Sequence, residues 1–209
     1  QKEREILQTL KHKSIPVLVE AFKTTDGKSA EVLRYADGTD LRALREKLYP
    51  NGVPERHLSW ILLRLLSVVG FCHSQGVIHG NIEPGNVIVR GRDHNVFLVD
   101  YVFAAQPKKG DKFVYSNEEY SAPEVEQKLP PIPPSDLWSV AQCMIFLAGG
   151  KPGDDELPDN FDPRLRHFLS AFLDPRPMRR ARDAWDKWHE LTKLRESIFG
   201  PRTFVPFDA

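Results

Sequence analysis

His79-Gly80-Asn81-Ile82-Glu83-Pro84-Gly85-Asn86-Val87 is the stretch on which the reading of this chain turns. It mixes turn-prone residues with polar side chains that can do chemistry. A long apolar helical pattern precedes it. Two short apolar runs follow, Val87-Ile88-Val89 and Val96-Phe97-Leu98-Val99, with Arg90-Gly91-Arg92-Asp93-His94-Asn95 between them. That arrangement reads as a loop set between a helix and a β-hairpin. Asp100 stands just beyond the hairpin.

Working outward, Leu58, Ile61, Leu62, Leu65, Leu66, Val69 and Cys72 recur at helical spacing and predict a helix over about 54–74. Pro54 suits its first turn and Gly76 its end. Farther upstream, residues 3–12 predict a helix with Ile6, Leu7 and Leu10 on one face. Residues 15–22 and 30–35 predict two strands around a turn at 24–27, and 40–48 a short helix capped by Thr39 or Asp40. Downstream, 101–134 lacks periodicity and ends in Pro130, Pro131, Pro133 and Pro134. A long irregular segment of this kind is functional or disordered. Helices are expected over 135–147, 163–173 and about 179–199, with a loop over 151–162. The fold class is α+β, mostly α.

The chain has 209 residues, 29 Lys+Arg and 29 Asp+Glu, so its formal net charge is zero. That argues against a nucleic-acid partner, whose usual footprint is a basic excess. The balance of 41% hydrophobic and 28% charged residues is that of a globular chain. Cys72 and Cys143 are too few for a disulfide framework, and both sit in apolar helical patterns, so buried reduced thiols are expected. The most apolar stretch, 60–71, contains Arg64 and falls short of the ~20 apolar residues of a membrane span. No membrane insertion and a cytoplasmic setting are the expectations. The chain opens at Gln1 in a helical pattern, which reads as a fragment lacking its N-terminal part.

Four further motifs join the opening one: Val99-Asp100-Tyr101-Val102, Ser121-Ala122-Pro123-Glu124, Ser135-Asp136-Leu137-Trp138-Ser139 and Pro177-Met178-Arg179-Arg180. Together, in this order, they resemble the C-terminal lobe of a eukaryotic-type protein kinase. That family carries a His-Arg-Asp loop with an Asn five residues after the Asp, then Asp-Phe-Gly, then Ala-Pro-Glu. His79, Asn86, Asp100, Ala122, Pro123 and Glu124 match, as do Asp136, Trp138 and Ser139 of the helix that follows. The resemblance implies an ion pair between Glu124 and Arg180. It makes residues 1–35 a partial N-lobe, with the αC helix and a β-hairpin, and residues 36–209 the C-lobe. Glu3 falls where the family's Lys-pairing Glu stands, and Leu33 to Gly38 resembles the hinge.

The departures are as informative. The catalytic carboxylate position is Asn81, and an amide cannot accept the substrate's proton. Where serine/threonine kinases carry a Lys near the transferred phosphoryl stands Glu83, and the Thr that bonds to both is Asn117. Gly80 replaces the Arg that would clamp a phosphorylated loop, and Asp-Phe-Gly has become Asp100-Tyr101-Val102. The sequence given carries no Gly-x-Gly-x-x-Gly loop and no strand Lys of the Val-Ala-Ile-Lys type ahead of these motifs.

The leading expectation is therefore a pseudokinase domain with no catalytic residue, binding a protein partner or an upstream domain of its own chain. It needs no cofactor. One alternative is a nucleotide-binding switch without catalysis, using ATP with Mg or Mn. In it Asn86 and Asp100 are the metal ligands, and Leu33 and Tyr35 line the nucleotide site with them. The other is an atypical phosphotransferase, because His79-Gly80-Asn81 with Gly85-Asn86 also resembles the loop of aminoglycoside and choline kinases. His79 is expected to be a packed structural histidine.

Overall fold

The computed structural model describes residues 2–112, 115 and 117–209. Helix α3 (Glu55–Ser74) is its axis. This helix can be apolar on nearly all sides because something covers nearly every side. Helices α5 (Pro133–Ala148) and α7 (Ala184–Phe199) and strand β5 (Asn95–Leu98) all pack on it. Its 20 residues make it long and apolar enough to cross a membrane by length and composition, beyond the sequence expectation. Yet most of that span is buried within the protein. At Gly70 the packing is tight: a Cβ there would lie 3.0 Å from the Trp185 ring of α7.

The N-terminal part is helix α1 (Lys2–Thr9) followed by the antiparallel pair β1 (Leu18–Lys23) and β2 (Ser29–Leu33). Ile6, Leu7 and Leu10 face the core, as their spacing implies. The Leu98 N–H donates to the Ser14 carbonyl at 2.9 Å, which ties this part to the hairpin of β4 (Val87–Arg90) and β5. A third strand, β3 (Thr39–Asp40), pairs with β4 and was not legible from the sequence. Gly38 permits it. A Cβ at that position would lie 2.3 Å from the Val89 carbonyl oxygen, and the φ of 149° is one that side chains disfavour.

The helix expected over 40–48 is α2 (Leu41–Ala43), which widens into a π turn over Leu44–Leu48. Asp40 caps it, accepting from the Ala43 N–H at 2.8 Å. Pro133 and Pro134, which read as the end of the irregular segment, instead open α5, where no intrahelical donor is needed. Ahead of α5, α4 (Pro123–Glu126) is one turn long. Helix α6 (Pro163–Ser170) ends three residues before its expected limit. Helix α7 starts at Ala184 rather than near 179, because Arg180 is extended and committed to an ion pair. Asp183 caps α7 through the Trp185 and Asp186 N–H groups at 2.7 and 3.1 Å.

Candidate functional site

Asp136, in the first turn of α5, organises the 79–86 loop. Its side chain accepts the His79 and Gly80 N–H groups, both at 2.9 Å, and meets His73 Nε2 at 2.8 Å. Burial works against its charge. The hydrogen bond and attraction from His73 and the Gly80 N–H outweigh that, and hold its pKa below the usual carboxylate value. His79 is fully buried. Its Nδ1 accepts from the Asn81 N–H at 3.3 Å, so Nε2 carries the proton and donates to the Val99 carbonyl at 3.0 Å. Burial lowers its pKa and keeps the ring neutral. A neutral imidazole tied at both nitrogens to backbone is a structural post.

Asn81, Asn86 and Asp100 meet at the end of this loop. The Asn81 amide donates to Asp100 Oδ2 at 2.8 Å, and the Asn86 amide donates to the Asn81 carbonyl at 3.0 Å. Asp100 has a φ of 64°, and Asp is among the few residues that tolerate that region. Losing the Gly at position 102 thus leaves the turn intact, since the left-handed residue is Asp100 itself. Asn81 Oδ1 is buried without a hydrogen-bond partner. An orphaned acceptor beside a carboxylate suits a cation or a water. Asn86 and Asp100 could therefore hold a divalent ion such as magnesium, which keeps several waters and takes one or two protein carboxylates plus substrate phosphates.

Glu83 of this loop is bonded to Asn117. Asn117 Nδ2 donates to Glu83 Oε2 at 2.5 Å. Asn117 also caps its own turn, accepting from the Glu119 N–H at 3.0 Å. Lys108, Lys109, Lys112, Glu118 and Glu119 are exposed.

Tyr101 fixes the segment after Asp100. It is fully buried, edge-on to His79 with centroids 4.6 Å apart, and its hydroxyl lies 3.6 Å from Cys72 Sγ. Its N–H donates to Glu3 Oε1 at 3.0 Å. Glu3 thus binds backbone instead of a lysine, and burial raises its pKa. His73 escaped sequence reasoning because it lies outside the motifs, and Tyr101, although inside one, escaped as a packing residue because its partners Cys72, His79 and Glu3 are distant in sequence. An aromatic directly after Asp100 was the available signal.

The second anchor is Glu124 with Arg180. Arg180 donates twice to the carboxylate, at 2.7 and 2.6 Å, and both side chains are at most 3% exposed. Ser135 adds a bond at 2.8 Å, and Arg180 lies over the Trp138 ring. Burial opposes the Glu124 charge, but the Arg180 hydrogen bonds prevail and its pKa is lowered.

Of the four nucleotide-site candidates, Asn86 and Asp100 come together. Leu33 ends β2, half-buried, and Tyr35 is 82% exposed. A concavity of about 920 Å³ lies elsewhere, between α1 and β1, among residues such as Arg4, Leu7, Lys11, Val17 and Val19. Among the described residues no cluster of three His, Cys, Asp or Glu side chains could hold a metal.

This frame of a pinned loop, an Asp after a hairpin and a buried Glu–Arg pair is that of protein kinases, and residues 1–190 match the protein kinase domain model. The chain belongs to the protein kinase family, with a kinase-like α+β fold and a partial N-lobe. It is 30% identical over 167 residues to human cyclin-dependent kinase-like 5, covering 77% of this chain and 17% of that protein. It is 31% identical over 219 residues to CBL-interacting protein kinase 1 of Oryza sativa subsp. japonica, covering 90% and 45%. Human serine/threonine-protein kinase H1 is 29% identical over 162 residues, with 74% and 37% covered. The chain spans less than half the length of each of these relatives.

Proposed function

We propose that this chain is a pseudokinase domain, a kinase-like fold that acts by binding a protein partner or by regulating a domain of its own chain. The observation that carries this reading is the Asn117–Glu83 bond, next to the Asn81–Asp100 bond. Phosphoryl transfer needs a base for the attacking hydroxyl and cations on the phosphates. Here the base is an amide, and its amide N–H is spent on Asp100. The cation is a carboxylate, closed off by Asn117. The scaffold bonds of Asp136 and of Glu124 with Arg180 are intact. Loss confined to the chemistry, with the frame preserved, fits selection for a surface rather than for turnover. A cytoplasmic setting goes with this reading.

The orphaned Asn81 Oδ1 beside Asn86 and Asp100 favours a second reading, a nucleotide-binding switch without catalysis. ATP with magnesium or manganese would be its ligand. In that case Asn86 and Asp100 hold the hydrated ion, which neutralises phosphate charge, and Glu83 keeps the terminal phosphoryl from being stabilised.

A thermal-shift titration with ATP, with magnesium and then manganese, separates the two. Ligand at 100 times its dissociation constant adds about 2.7 kcal/mol. No shift at millimolar ATP is expected for a pure binding domain. A metal-dependent shift that disappears in Asp100→Ala supports the switch. Phosphotransfer by the unaltered chain to any acceptor would overturn both.

A further inference from the structure

Along the N-terminal half of α3, away from this site, four arginines converge. Arg56 and His73 are 17 residues apart on α3, about 25 Å at 1.5 Å per residue. Arg56 and Arg64 of α3, Arg195 of α7 and Arg202 just beyond α7 line one cavity of about 40 Å³. Arg56, Arg195 and Arg202 also line an adjoining one of about 160 Å³. The larger holds roughly ten times the ~10–15 Å³ that a single water needs. Trp188 and Phe199 form part of its wall.

Three of the guanidiniums are held in place by neutral groups. Arg195 donates to Ser59 Oγ at 2.9 Å, Arg64 to the His94 carbonyl at 2.9 Å, and Arg56 to Thr203 Oγ1 at 2.6 Å. Each contact uses one of five guanidinium donors. Among the described residues none of the four is ion-paired. Asp93, the carboxylate acting on Arg64, is already held by Arg90 through bonds of 2.9 and 2.7 Å. Glu196 lines the larger cavity but is exposed to solvent. His57 and His94 line the smaller cavity, and burial keeps them neutral. The carbonyl end of α7 offsets only part of the charge, about half a unit.

Crowding like charges is unfavourable, and here it reaches a group that is already desolvated. Burial and the fields of Arg202, Arg56 and Arg64 push the Arg195 pKa down to about 10. An anion placed among the four would relieve that repulsion and take up the open donors. Planar guanidiniums match tetrahedral oxyanions in pairs of bonds. We propose that Arg56, Arg64, Arg195 and Arg202 form a binding site for a phosphate-type oxyanion, remote from the kinase-like cleft. Its source is either a free phosphate or a phosphorylated side chain, and the two share the same chemistry.

The test is calorimetric titration of the whole chain at fixed ionic strength with inorganic phosphate, with a phosphoserine peptide, and with chloride as control. The arginine Nε–Hε resonances are followed in parallel. Phosphate should bind saturably and move the Arg195 and Arg202 resonances. Arg202→Ala, at an exposed position, should keep the melting temperature and weaken binding at least tenfold, as should Arg56→Gln. A peptide bound at least tenfold tighter than phosphate assigns the site to a phosphorylated protein. Equal affinities assign it to small phosphates. Heats and shifts that chloride reproduces, or an Arg202→Ala variant that binds like the parent, would overturn the proposal.

Discussion

A single side chain decides more in this molecule when it is buried with a charge than when it sits in a motif. Arg180 satisfies both Glu124 oxygens and also donates to the Asp174 carbonyl at 2.6 Å. Truncating it leaves a carboxylate buried without its counter-charge. Arg180→Ala should cost about 3–5 kcal/mol in urea unfolding. A loss below about 0.5 kcal/mol would mean that Glu124 finds another partner. Asn81→Asp tests the silent site differently. The new carboxylate would stand where an amide now donates to Asp100 at 2.8 Å. Two carboxylates that close cannot both ionise freely, so one of them should titrate well above ~4. Phosphotransfer should stay absent, because Glu83 remains. Carboxyl-carbon NMR titration and a transfer assay read the two outcomes.

At the level of elements, the long helices and hairpins were legible because their apolar spacing is strong and their neighbours agree with it. The α3 pattern predicts its limits to within a residue, and 87–89 and 96–99 predict β4 and β5. What escaped reading depends on contacts far away in sequence. Strand β3 exists only because β4 lies against it, and the start of α7 is moved by the commitment of Arg180. In the site, the motif residues were legible one by one. Their mutual bonds were legible only where the resemblance implied them, as for Glu124 with Arg180 and Asn117 with Glu83, while the Asn81–Asp100 and His73–Asp136 bonds join distant residues and were not. The α3–α7 contact gives a sharp test. Gly70→Ala would place a methyl against the Trp185 ring, at a distance of 3.0 Å. Helix propensity favours Ala by about 1 kcal/mol. Overpacking should reverse that, for a net loss of about 1–2 kcal/mol in denaturant melts.

The molecule as a whole should be sensitive to acid in two stages. Burial lowers the pKa values of His12, His57, His79 and His94. Their unfolded forms take up protons below about 6.5, so stability should decline as pH falls through that value. Asp136 and Glu124 also have lowered pKa values. Their contribution is full above the unfolded carboxylate values of about 4 and is lost as pH falls through the lower folded ones. Urea midpoints measured between pH 8 and 3 should show a gentle decline and then a steep one. A flat profile down to pH 5 would remove the histidine stage.

The Tyr101–Cys72 contact has a kinetic meaning too. Cys72 and Cys143 are the only cysteines, and both are buried. Burial pushes the Cys72 thiol up to about 12 and raises that of Cys143. Neither should react with a disulfide reagent while the chain is closed, because the thiolate is the attacking form. Their labelling rates therefore act as two clocks, one set under the segment that follows Asp100 and the other inside α5. A partner or nucleotide that seals that segment should slow the first clock and leave the second unchanged. Equal slowing of both would report stabilisation of the entire fold.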